Sequence, residues 1–371
     1  MATTYTPGLR VSAGTLLRKT RRLPLKGEVL VKVGERVSAE QVVARAQLPG
    51  KIRTIKVSEV LGVEAAEVPG LVQGGVGDSV EAGQLLAEVR SFFGLFHSEC
   101  RSPATGTIDH VSGLSGFVGI REPPAPLDLE AYLAGTVAEV LPEEGVVVEA
   151  AAAFVQGIFG VGGERRGEIY VAGERDRPLA GDEIGEEARG RVVIGGAQAS
   201  WAALEQAARV GAAALVTGGI DDADLIRFVG HEIGVAITGQ EQVPFTLVVT
   251  EGFGRMAMAE QTYRLLESLE GKQASVNGAT QIRAGVIRPE VIVPLAQEAV
   301  PASEEETGRL AVGSRVRLIR EPYFGRLGEV TGLPAQLVEI ETEAMVRVAQ
   351  VRLAGEGGEV LVPRANLEII W

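Results

Sequence analysis

The sequence predicts a multidomain α+β protein, and three observations carry that prediction. Between residues 23 and 150, short apolar runs separated by glycine turns repeat without gaps, as β-hairpins do. From about residue 190, strand-like runs alternate with segments of helical spacing, which describes an α/β domain with a mainly parallel sheet. After the polar, acidic stretch 301–312 (PASEEETGRLAV), alternating apolar residues resume. The expected organisation is a β-rich region over 1–185, an α/β domain over 186–300, an acidic linker over 301–312 and a C-terminal β-barrel over 313–371.

Composition narrows the function classes. The chain has 371 residues, 46% hydrophobic and 23% charged, which suits folded domains with real cores rather than disorder. Its 36 Lys+Arg against 49 Asp+Glu leave a net charge of −13, which opposes general binding to nucleic-acid phosphates. One local exception holds Arg10, Arg18, Lys19, Arg21, Arg22 and Lys26 with no acid between them. It reads either as a solvated basic edge or as a contact for an anion or acidic partner. No run reaches the roughly 18 apolar residues of a membrane-spanning helix. The N-terminus also lacks a basic-then-apolar leader, so a cytoplasmic protein without membrane insertion is expected. One cysteine, Cys100, with His97, His110 and His231, makes a Cys/His zinc site unexpected. Glycine stands out at 48 residues, nearly twice the usual share of about 7%. Such an excess serves tight turns, or loops that approach a ligand.

The hairpin region repeats itself. Residues 33–44 (VGERVSAEQVVA) align without gaps to 76–87 (VGDSVEAGQLLA), an offset of 43. Gly34 and Gly77 supply a tight turn, Val37 and Val80 point inward, and the aliphatic pair after Gln41 or Gln84 starts the next strand. A second pair lies at offset 29, with Gly106-Thr107-Ile108 and Gly116-Phe117-Val118 against Gly135-Thr136-Val137 and Gly145-Val146-Val147. Residues 23–150 are expected to be all-β.

The run Val76-Gly77-Asp78-Ser79-Val80-Glu81-Ala82-Gly83-Gln84-Leu85-Leu86-Ala87, followed by Ser102-Pro103-Ala104-Thr105-Gly106-Thr107-Ile108, resembles the barrel-sandwich hybrid of biotinyl/lipoyl-carrier domains. The segment from Lys26 to Gly50 is similar to the N-terminal hybrid domain of Rnf-type electron-transport subunits. The resemblance covers about a third of the chain and implies a carrier fold. Carriers hold a lysine at the hairpin tip, but no lysine occurs here between Lys56 and Lys272, so neither biotin nor lipoate is expected. The tip is apolar instead, with Phe92, Phe93, Leu95 and Phe96. It either folds back as core or plugs into a protein partner. Cys100 has no identifiable His–acid pair and is expected to be a buried thiol.

In the α/β domain, Arg191 to Ile194 reads as a strand, 200–210 as a helix, 213–216 as a strand and 221–230 as a helix with Asp221 at its N-cap. Strands over 234–237 and 245–249 and a helix over 254–269 complete it. Three strands end alike, in Thr217-Gly218-Gly219, Thr238-Gly239-Gln240-Glu241 and Thr250-Glu251-Gly252. Ligands of parallel sheets bind beyond the strands' carboxyl ends. Thr217, Gly218, Gly219, Asp221, Thr238, Gly239, Glu241, Thr250, Glu251 and Gly252 are therefore candidates for a small ligand, unless they only cap strands and start turns. None fits a phosphate-loop pattern. Asn277, Gln281, Arg283 and Arg288 either close over that rim or contact the hairpin region. No nucleophile–base–acid set stands out, and His231 is expected to sit at a helix C-terminus.

The segment from Val316 to Val330 (VRLIREPYFGRLGEV) is similar to a KOW motif, with a Pro-aromatic-Gly turn and Gly328 before the next strand. That resemblance implies a five-stranded SH3-like barrel over 313–371 and, in the family, binding to RNA, ribosome or RNA polymerase. Seven Arg against eight Glu make the segment net −1, which favours a protein partner over RNA. Arg315, Arg317 and Arg326 are the partner-binding candidates. Together these readings point to a cytoplasmic, non-catalytic scaffold or adaptor. The rivals are a nucleotide- or phosphometabolite-using enzyme at the strand ends and an RNA- or transcription-associated protein.

Overall fold

A computed structural model describes residues 9–91, 96–231, 236–237, 241–281, 287–296, 310–318, 322–323, 326–339, 345–354 and 358–369. Strands make up 48% and helices 15%, so the molecule is mostly β and built of several sheets. No described helix is long and apolar enough to cross a membrane.

The described residues from 9 to 156 form two copies of one β unit, the second nested inside the first. β1 (Val11–Arg22), β2 (Glu28–Val29), β3 (Arg36–Val37) and β4 (Val42–Leu48) open the outer unit. The inner unit follows complete, with β5 (Ile52–Lys56), β6 (Ser79–Val80), β7 (Leu85–Ser91), β8 (Phe96–Arg101), β9 (Gly106–Val111) and β10 (Phe117–Arg121). The chain then returns through β11 (Ala125–Glu130), β12 (Gly135–Leu141) and β13 (Gly145–Gln156) to finish the outer one.

The two sequence offsets are the two halves of this duplication. Gly34 and Gly77 both take positive φ, 84° and 98°, and their N–H groups donate to the Val137 and Ile108 carbonyls. Val37 pairs with Gly135 as Val80 pairs with Gly106. β4 pairs β11 from Leu48–Ala125 to Val42–Glu130, and β7 pairs β8 from Ser91–Phe96 to Leu85–Arg101, with the same irregularity at the last step. The inner unit thus occupies the hairpin tip of the outer one. Its ends lie close enough for this, since Glu122 N–H donates to the Lys51 carbonyl.

The inner unit departs from the all-β expectation. Where the outer unit crosses from β1 to β2 through Leu23–Gly27, the inner one inserts α1 (Val57–Leu61), a 3₁₀ turn and α2 (Val68–Leu71). Val57, Leu61 and Val68 pay for the insertion by burial against Leu86, Cys100 and Val118.

The remaining strands are β14 (Phe159–Val161), β15 (Glu164–Val171), β16 (Pro178–Leu179), β17 (Val192–Ile194), β18 (Gln198–Ala199), β19 (Ala214–Ile220), β20 (Ala236–Ile237), β21 (Thr246–Phe253), β22 (Gln273–Asn277), β23 (Thr280–Gln281) and β24 (Glu290–Pro294), with helices α3 (Trp201–Val210), α4 (Asp222–Val229) and α5 (Glu260–Ser268). β15, β17, β19 and β21 are parallel neighbours in chain order. Val193, Leu215 and Leu247 pack with α3 and α4 on one face, and Val192, Val216 and Val248 pack with α5 on the other. Ser200 caps α3 by accepting the Ala203 N–H, and Gly211 ends it at φ 76°.

This sheet does not stop near residue 185. It continues through β22, β24, β13 and β12 to β3, giving a 13-stranded sheet. The joint is β13, whose buried second half pairs with β24 while its whole length pairs with β1. β20 lies outside it, paired with β23 alone. α5 begins at Glu260 rather than 254, because Met256 N–H is held by the Ala197 carbonyl.

The C-terminal region is a six-stranded antiparallel sheet of β25 (Arg315–Leu318), β26 (Leu327–Gly332), β27 (Leu337–Glu339), β28 (Met345–Leu353), β29 (Glu359–Pro363) and β30 (Leu367–Ile369). Val316, Leu318, Val330 and Val351 form its core. No pairing among the described residues closes it into a barrel.

Candidate functional site

The carboxyl ends of β17, β19 and β21 form the rim where a ligand is expected. Two of the three Thr-Gly strand ends, those of β19 and β21, meet there; β20, which precedes the third, pairs with β23 outside this sheet. The Thr217 hydroxyl donates to the Gly196 carbonyl at 3.2 Å, and the Thr250 hydroxyl to the Thr217 carbonyl at 3.2 Å. Both side chains are buried, so they lace neighbouring strand ends rather than face outward.

The glycines have the same inward use. A Cβ on Gly218 would stand 2.1 Å from the Met256 carbonyl oxygen, and one on Gly219 would stand 2.0 Å from that of Gly254. A Cβ on Gly252 would stand 3.2 Å from the Met256 sulfur. The segment after β21 therefore fills the rim with the chain's own backbone. Only glycine permits that approach.

Glu251 seals what remains. One carboxylate oxygen accepts the Ala259 N–H at 2.8 Å, just before α5, and the other pairs with the Arg317 guanidinium at 2.6 Å. These side chains are 5% and 14% exposed, so the pair is buried and ties the C-terminal sheet to the rim. Beside it lies a cavity of about 20 Å³, lined by Gln156, Thr250, Thr262 and Arg317 among others. That is room for about one water.

The other candidates scatter. Asp221 holds the N-cap position of α4 as expected, but its side chain makes no cap bond; its carboxylate accepts from Gln198 at 2.5 Å instead. Asn277 pairs with Glu164, at the amino-terminal end of β15 and therefore away from the rim. Gln281 pairs with Ala236 and bridges to Ile287. Glu241 lies on the approach to the start of β21, and Arg288 just before β24. Arg315 is exposed, whereas Arg326 is half-buried. Thr238, Gly239, Arg283, Phe92, Phe93 and Leu95 lie outside the described residues, and Phe96 opens β8 opposite Ser91.

The basic N-terminal tract finds its acids within the chain. Arg18, Arg21, Arg22 and Lys26 pair with Glu149, Glu164, Glu144 and Glu143 at 3.5, 2.6, 3.1 and 2.6 Å. Lys19 pairs with Glu290, whose other oxygen accepts the Tyr132 hydroxyl at 3.3 Å. Tyr132 is 1% exposed and holds a φ of 65°, rare for a bulky residue. Burial, with Glu290 and Glu164 nearby, pushes its hydroxyl pKa well above the ordinary value. Sequence reading missed this cluster, whose signal was confined to the acid-free basic tract.

Cys100 is fully buried, and that burial raises its thiol pKa above the ordinary value. An open depression of about 420 Å³ includes Arg166, Arg189 and Arg191, each paired with a glutamate. No group of three or more His, Cys, Asp or Glu among the described residues is placed to hold a metal ion. Neither the protein-family models nor the curated proteins give a match to this chain.

Proposed function

We propose that the protein is a cytoplasmic, non-catalytic scaffold that docks protein partners through the apolar tip of the inner hairpin and through the C-terminal sheet. The observation that carries this reading is the filled rim. Gly218, Gly219 and Glu251, the best ligand candidates, are spent on packing and on the Arg317 ion pair. Two resemblances support it. The nested units repeat one set of hairpin pairings, which supports the barrel-sandwich reading of the sequence. The C-terminal order β29-β28-β26-β25-β30, with a 3₁₀ turn at Arg364–Asn366 before the last strand, suits an SH3-like KOW module.

The inner hairpin supports the tip as the docking element. Its strands pair as far as Ser91–Phe96, which leaves the four residues 92–95 as the connection. With no lysine there, the tip offers apolar contact in place of a covalently held cofactor. In the C-terminal sheet, Arg317, Arg352 and Arg364 are engaged within the chain, which favours a protein partner over RNA.

Affinity capture with the intact protein and with a Phe92→Ser/Phe93→Ser/Leu95→Ser variant tests the proposal. A partner retained by the intact protein and lost by the variant is expected. Recovery of the free protein alone in both would sink it. A parallel thermal-shift series with nucleotides and phosphorylated metabolites is expected to leave the midpoint unmoved, whereas a ligand well above its Kd would raise it.

A further inference from the structure

We infer that the α1–α2 insertion of the inner unit, together with the adjoining β9–β10 turn, is a docking face for a basic, amphipathic segment of a partner protein. The nested duplication supplies an internal control. The outer unit makes the same strand pairings with only Leu23–Gly27 where the inner one carries residues 57–71, so the fold does not require the insertion.

The insertion presents apolar side chains to solvent. Val60 on α1 is 47% exposed, and Leu114 at the adjacent turn is 98% exposed. Pro69 is exposed too, and the turn rests against it, since a Cβ on Gly113 would stand 3.2 Å from its ring. At offset 29 the outer turn carries Glu143 where the inner one carries Leu114. An exposed leucine is therefore not demanded by the turn.

Charge selects the occupant. The face itself carries three acids, Glu59, Glu64 and Glu67, against one adjoining base, Lys56, which pairs with Glu59 at 2.6 Å, so it is net negative. Such a surface repels nucleic-acid phosphates and anionic lipid headgroups. It complements a segment that sets leucine-like side chains beside lysine or arginine. The face involves neither residues 92–95 nor the C-terminal sheet, so it goes beyond the function proposed above.

Fluorescence anisotropy with the full chain tests it, using a labelled helical peptide of Leu and Lys at amphipathic spacing and a control with every Leu replaced by Ser. The Leu/Lys peptide is expected to bind at least about tenfold more tightly than the Ser/Lys control. Leu114→Glu is expected to weaken it by a similar factor, although it adds a negative charge. Equal binding of both peptides, or binding by Leu114→Glu that is unchanged or tighter, would show bulk charge attraction and overturn the proposal. Val60→Ser gives the same readout should Leu114→Glu disturb the turn. Neither variant touches residues 92–95, so this result stands apart from the capture experiment.

Discussion

At the scale of single residues, the molecule spends its most suggestive side chains on itself. Glu251 and Arg317 are a buried pair, and removing one partner strands the other's charge. Glu251→Ala is therefore expected to cost about 3–5 kcal/mol, while the double replacement Glu251→Met/Arg317→Met costs clearly less than the two single changes summed. Urea unfolding of the four proteins checks this. Gly219→Ala, with its Cβ 2.0 Å from the Gly254 oxygen, is expected to lose about 1–3 kcal/mol in the same assay. Tyr132 adds a pH dependence. Its folded pKa is raised above the ordinary 10.0, so the unfolded chain ionises first and stability falls as pH rises past that value. Urea midpoints between about pH 9 and 11 should fall more steeply for the wild type than for Tyr132→Phe.

At the scale of elements, the duplication was legible but its nesting was not. Gly34/Gly77 and Gly106/Gly135 announced two offsets because each glycine holds the same turn or close approach in both copies. β8 (FHSECR) and β11 (APLDLE) share no such signal, although they make the same pairings. Pairing depends on backbone groups that any of those residues supplies. Excision of residues 49–124, with a four-residue turn joining Leu48 to Ala125, should leave an outer unit that still folds within the remaining chain. Retained β circular dichroism and cooperative unfolding would bear this out; collapse to an unfolded or aggregated chain would count against nesting. The helix read over 200–210 matches α3 to within a residue, where Ser200 and Gly211 cap it. α5 was read too long because the hold of Ala197 on Met256 is a tertiary contact.

At the scale of the whole molecule, the expected boundary near 185 is crossed by hydrogen bonds. β13 belongs at once to the outer unit and to the 13-stranded sheet, so the hairpin and α/β regions should unfold together. At the rim the sequence left two readings open for a related reason. Glycine and threonine at strand ends serve a ligand and a close backbone approach equally well, and only the fold of 252–259 decides between them. The central claim is that this rim is a sealed joint, and amide hydrogen exchange at residues 217–219 and 250–252 tests it most directly. Strong protection without any ligand, unchanged by nucleotides or phosphorylated metabolites and lost in Arg317→Met, is the expected result. Protection that appeared only when such a ligand was added would contradict it.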